Sequence, residues 1–122
     1  MEKLVYLSFD LGFQSNYTKM YKWLDVHKAL ECGDSSCRFI YDFKSVQKND
    51  NEEETKAMIA EIRKDITDHI DFLTTDRVYI ASDFYWKGEI SLNGLFVVGK
   101  RKPSNPWDGA SGGDNNQIII DE

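Results

Sequence analysis

Few side chains in this chain have the type and spacing to do chemistry, and Asp10 is foremost among them. The stretch LSFDLGFQSNY, residues 7–17, ends an apolar run on a lone carboxylate and leads through Gly12 into a loop. A strand-end carboxylate suits Mg2+, a hard ion that prefers oxygen ligands, keeps several waters and takes only one or two protein carboxylates. An ion held there lowers the pKa of a bound water, the first requirement for metal-assisted phosphodiester hydrolysis. The plainer reading of the same residues is a turn, since Asp followed by Gly two positions later commonly ends a strand.

Other candidate groups carry less. His27 and His69 are the only imidazoles, and each closes a helical pattern, where partial positive charge suits the helix dipole. Capping or surface roles therefore stand beside general acid–base catalysis for both. Cys32 and Cys37, in ECGDSSC, have no second pair and no nearby His, which is too few ligands for a zinc site. They read as buried or half-buried thiols, with a disulfide across the turn as the alternative. No serine sits in a nucleophile-elbow context, and GASGG at 109–113 lacks the Lys-Ser/Thr that completes a phosphate loop.

Composition sets the outer bounds. At 122 residues, 41% hydrophobic and 13% aromatic, the chain reads as one ordered domain with a modest core. No stretch approaches the ~20 apolar residues that span a bilayer. The opening MEKLVYLSFDLG lacks a basic region and a cleavage site, so the expectation is a cytoplasmic protein without membrane contact. Fifteen basic against twenty-one acidic residues leave a net charge of −6, which counts against broad, non-specific nucleic-acid binding. A small local site is still allowed. The one dense basic cluster, Gly99-Lys100-Arg101-Lys102, is either a solvated strand end or a phosphate-contacting patch. Tyr17, Tyr21 and Trp23, and Phe84-Tyr85-Trp86, could stack bases, but without a basic groove core or dimer-interface packing is favoured.

The elements that must position these groups follow from periodicity. Residues 3–10 (KLVYLSFD) alternate as a strand, and Ser15 or Asn16 can cap a helix in which Tyr17, Met20, Tyr21 and Leu24 share a face. That helix is expected to end near His27. Residues 28–33 and 37–43 read as a hairpin around Gly33-Asp34-Ser35-Ser36. Acidic residues at 52–54, then Ile59, Ile62, Ile66, Ile70 and Leu73, predict a helix over about 52–72. Strands are expected at 77–82 and 95–99, extended into a long hairpin around Asn93-Gly94. The order strand, helix, strand, strand, helix, strand predicts an α+β, ferredoxin-like βαββαβ sandwich with both helices on one face of an antiparallel sheet and extra C-terminal strands. Residues 1–102 form this domain. Residues 103–122 are a flexible tail whose triplet Ile118-Ile119-Ile120 can add as an edge strand. The uncovered sheet face predicts a homodimer.

On these residues the chain resembles a known group. Phe9-Asp10-Leu11 closing the first strand, NYTKMYKWL, the hairpin motif Ser36-Cys37-Arg38-Phe39 and the Asp76-Arg77 pair before a strand are similar to the Cas-two family of CRISPR adaptation proteins. They are similar also to the SinR-like proteins and the virulence-associated protein D toxins. The similarity spans roughly residues 3–100. It implies a dimer in which Asp10 approaches its symmetry mate, a shared divalent metal ion, Mg2+, and phosphodiester cleavage, with Ser36 near the same cleft as a second catalytic residue. The acidic composition and the unmatched tail depart from the DNA-binding members.

Two functional readings result. One is a homodimeric, Mg2+-dependent endonuclease built on Asp10, acting on RNA rather than duplex DNA because phosphate clamps are scarce. The other is a non-catalytic dimeric module that holds a protein partner through its sheet edge or C-terminal tail.

Overall fold

The computed structural model describes residues 1–87, 94–101 and 104–112. Alternation along the first strand, β1 (Glu2–Asp10), sets the architecture: Val5, Leu7 and Phe9 point into the core while Leu4, Tyr6, Ser8 and Asp10 point out. α1 (Tyr17–Val26) follows, capped by the Asn16 side chain, which accepts from the Lys19 amide. Then come β2 (Leu30–Gly33), β3 (Ser36–Asp42), α2 (Glu52–His69), β4 (Arg77–Ala81) and β5 (Gly94–Val98).

The described strands make one antiparallel sheet in the order β2-β3-β1-β4-β5. β1 is central, with Leu7 opposite Cys37 of β3 on one side and Ile80 of β4 on the other. Tyr41 of β3 shows which face is covered. Its hydroxyl donates to Asp65 of α2, and its ring lies 6.4 Å from that of Trp23 of α1. Both helices therefore press on the face carrying Val5, Leu7, Phe39 and Tyr41. Met20, Trp23 and Leu24 from α1, and Met58, Ile59, Ile62 and Ile66 from α2, complete this core. The mixed α+β class read from the sequence is the one observed. No helix among the described residues is long and apolar enough to cross a membrane.

Several boundaries differ from expectation for identifiable reasons. α2 stops at His69 rather than near 72: Ile70 turns extended (φ −130°, ψ 127°), and the Asp76 carboxylate accepts from the Leu73 amide at 2.7 Å. Ile70 stays in the core, but Leu73 lies exposed outside the helix. On α1 the buried face is Met20, Trp23 and Leu24, whereas Tyr17 and Tyr21 stand exposed beside it. Trp23 wins because its indole N–H reaches Asp65 while its ring packs on Phe39. Gly94 is not the centre of a turn; it pairs with Ala81 inside the sheet. A Cβ there would sit 2.0 Å from the Tyr79 hydroxyl, so the close approach demands glycine. Asn93, Lys102 and the triplet at 118–120 lie outside the described residues.

Candidate functional site

Asp10 is the last residue of β1 and faces the open side of the sheet, directly opposite Arg77 of β4. It has no hydrogen bond or ion pair among the described residues. Around it Ser8, Arg77, Tyr79, Phe96 and Arg101 line a depression of about 250 Å3. Two guanidiniums thus accompany one carboxylate, on a chain whose overall charge is −6.

The neighbours of Asp10 are held firmly. Arg77 donates from Nε to the Lys100 carbonyl at 2.9 Å and from Nη1 to the Thr75 carbonyl at 3.0 Å, and Nη2 has no partner among the described residues. The turn that carries Lys100 and Arg101 back against β4 hinges on Gly99. Its φ of +68° is a left-handed conformation, and a Cβ would lie 2.4 Å from the Asp76 carbonyl oxygen. Tyr79 and Phe96 form an edge-to-face pair, 5.1 Å between centroids, as one wall.

The loop after Asp10 is fastened by Asp76, which is 1% exposed. Its carboxylate accepts from the Gly12 amide at 2.7 Å, the Ser15 hydroxyl at 2.5 Å and the Leu73 amide at 2.7 Å. Burial by itself pushes the Asp76 carboxyl up, but the donors from Ser15, Gly12 and Leu73 outweigh it and hold the group below its usual range. Gly12 belongs to this clamp: a Cβ would lie 2.5 Å from the Thr75 hydroxyl oxygen. Tyr17 adds a bond from its hydroxyl to the Leu11 carbonyl. Asp10 therefore sits on a rigid strand end, the placement a functional first residue requires.

Ser36 begins β3 opposite Ser8, which puts it on the diagonal from Asp10, a spacing of about 7–8 Å in an antiparallel pair. The two line different depressions: Ser36 faces Phe9, Glu31 and Cys37. The cysteines remain free. Cys37 is buried, its thiol pushed up to about 11 by burial and then by Cys32, and Cys32 is exposed rather than half-buried. Among the described residues no three His, Cys, Asp or Glu side chains are grouped to hold a metal ion. One protomer offers Mg2+ a single carboxylate at this corner, so the fit requires a second copy or substrate phosphates to supply further oxygens.

Three residues that this site uses, Arg77, Tyr79 and Phe96, are not singled out by the sequence. Arg77 was visible only as half of a motif, and Tyr79 only as an alternating strand residue; their place beside Asp10 follows from the β1–β4 register, which no local pattern reveals. The Arg101 signal was present in the basic cluster. No protein-family model, no curated protein and no solved structure matched this chain.

Proposed function

We propose that this is a cytoplasmic, ferredoxin-like homodimer that cleaves single-stranded RNA with Mg2+ at the Asp10 corner. The observation that carries the reading is a strand-end Asp10, unpartnered among the described residues and flanked by Arg77 and Arg101 on the open face of the sheet. The strand order supports the fold assignment, because β1 and β3 hold the centre with β4 and β2 outside them, the split βαβ arrangement.

The open face supports the dimer. Leu4, Tyr6, Ile40 and Tyr79 are 40%, 48%, 53% and 38% exposed, and Leu4 stands opposite Ile40 in the register. A contiguous apolar centre of this kind marks an interaction surface. It is rimmed by both charges, Glu2 and Asp42 against Arg38 and Arg77, as an isologous contact needs. Asp10 and its mate would provide the two carboxylates for Mg2+, whose chemistry is to acidify a bound water. Arg77 and Arg101 bind the phosphate, and Tyr79 with Phe96 gives a nucleobase an aromatic wall. Ser36 stands one diagonal from Asp10 but lines a separate depression, so a catalytic role for it rests on the family resemblance alone.

The test is an RNA-cleavage assay with Mg2+ on the full chain and on Asp10→Ala, together with sedimentation of both. Cleavage by the wild type and its loss in a still-dimeric variant is the expected outcome. Cleavage by neither overturns the nuclease reading. A structure of the dimer with its Asp10 carboxylates much more than ~10 Å apart overturns the shared metal site.

The non-catalytic reading is favoured by one observation, the absence of a three-ligand group among the described residues. The route for such a partner is narrowed. On β5 the Phe96 and Val97 carbonyls already accept from Arg63, so the exposed strand β2 is the edge left for augmentation.

A further inference from the structure

We propose that the cavity between the two helices binds a small aromatic anion, a flat apolar body bearing one phosphate or carboxylate. This site lies on the opposite side of the sheet from Asp10 and does not depend on the nuclease reading. Lys22, Trp23, Val26 and His27 from the end of α1, and Asp65 and His69 from α2, line a space of about 480 Å3. That volume falls within the ~300–1,000 Å3 of small-molecule sites.

The polar atoms are sorted by sign. Asp65 is satisfied from inside the protein: the Tyr41 hydroxyl donates to Oδ2 at 2.5 Å and the Trp23 indole N–H to Oδ1 at 3.3 Å. His69 adds Nδ1, 3.1 Å from Oδ1 and 2.7 Å from the Asp65 main-chain oxygen. Because Nδ1 faces a carbonyl oxygen it carries the hydrogen, and Nε2 is left to the cavity. The carboxylate is thus engaged on both oxygens, with His27 Nε2 a further 3.9 Å from Oδ2. Lys22 differs from its neighbours. Lys19 pairs with Asp71 at 2.9 Å and Lys64 with Asp68 at 2.6 Å, whereas Lys22 has no partner among the described residues.

The apolar part is equally defined. The His27 ring lies 4.2 Å from that of Trp23, and Val26 stands 75% exposed on the rim, one helical turn from Lys22. An ammonium with no partner among the described residues, beside the His27 ring tilted 50° on Trp23 and an uncovered valine, suits a ligand that joins an anion to a planar apolar body. The anion neutralises Lys22, and the planar body covers Val26 and the His27 ring, which lies over the buried Trp23.

Lys22 and Val26 are both exposed, so Lys22→Glu and Val26→Glu leave the core untouched. The experiment follows the Trp23 indole N–H resonance of the full chain during titration with adenosine monophosphate, with indole-3-acetate and with neutral adenosine. A saturable shift with at least one anion is expected, weakened tenfold or more by Lys22→Glu and by Val26→Glu and unchanged by Asp10→Ala. The anion that saturates at lower concentration assigns phosphate or carboxylate. The proposal is overturned if neither anion saturates the shift below about 10 mM, if adenosine acts as strongly as its monophosphate, or if Lys22→Glu binds as tightly as wild type.

Discussion

Replacing Asp76 by alanine isolates what holds the Asp10 corner together. The carboxylate is 1% exposed and accepts three hydrogen bonds, two of them from main-chain amides on either side of the corner, Gly12 and Leu73. Removing it takes the acceptor from both part-buried amides, at about 1–3 kcal/mol each. Ser15 can rotate to another partner and contributes little to the loss. Part of the cost is recovered, because an alanine carries no desolvation penalty, so the expected destabilisation is about 3–4 kcal/mol. With a urea slope of about 1–3 kcal/mol/M, the unfolding midpoint moves down by roughly 2 M. Asp76→Asn keeps an oxygen for Gly12 and Ser15 but turns an amide nitrogen toward the Leu73 N–H, so it falls between the two. Urea unfolding followed by tryptophan fluorescence gives the midpoints, and amide exchange at Gly12 and Leu73 localises the effect. A loss below about 1 kcal/mol for Asp76→Ala, or unchanged protection at both amides, would refute the clamp.

Further expectations follow from the same contacts. Ile40→Glu puts a charge at the centre of the open face without touching the core, so a dimer seen by sedimentation should become monomeric with stability unchanged within about 0.5 kcal/mol. Lys28 closes α1 at φ +56°, and Lys28→Gly should stabilise the fold by about 0.5–1 kcal/mol in urea unfolding, since a left-handed residue with a Cβ costs about 1–2 kcal/mol. Stability should fall with acid in two stages. Burial depresses His27 despite the pull of Asp65, so the unfolded chain binds the proton more readily and stability is lost as pH drops below about 6.5 through the folded value. Asp76, depressed by its donors, adds a second loss below about pH 3.9. Midpoints measured from pH 8 to 3 check this, and His27→Gln should lack the first stage.

What could be read from the residues alone was whatever repeats locally. The alternation of β1, the isoleucine spacing of α2 and the Asn16 cap are periodic or nearest-neighbour signals, and each produced its element. The C-terminal bound of α2 was missed because it is set by Asp76, a residue whose action is felt three positions upstream at Leu73 and sixty-four upstream at Gly12. The spacing places Tyr21 on the apolar face of α1 and leaves Trp23 out of it for the same reason, since Asp65 and Phe39 draw Trp23 inward from other elements. Asp10 and Ser36 stood out by type. The arginines that give the Asp10 corner its sign are brought there by β1–β4 pairing and by the Gly99 turn.

The two faces of the sheet divide the chemistry in a way that net charge conceals. A chain of −6 argues against phosphate contact only if its charges are spread evenly. Here several acidic residues already have work: Asp76 in the loop clamp, Asp65 beneath Tyr41 and Trp23, Glu52, Glu53 and Glu54 at the start of α2, and Asp83 against Lys3. Among the described residues Arg77 spends two donors on main-chain carbonyls and leaves Nη2 without a partner, and neither Arg101 nor Lys22 meets a carboxylate. Uncommitted positive charge is therefore present at two lined depressions, one beside Asp10 on the open face and one beside His69 between the helices. Attraction for anions at these points is local and short-ranged, screened beyond about 8–10 Å at physiological salt, so the surrounding acidity restrains non-specific adhesion without cancelling either one.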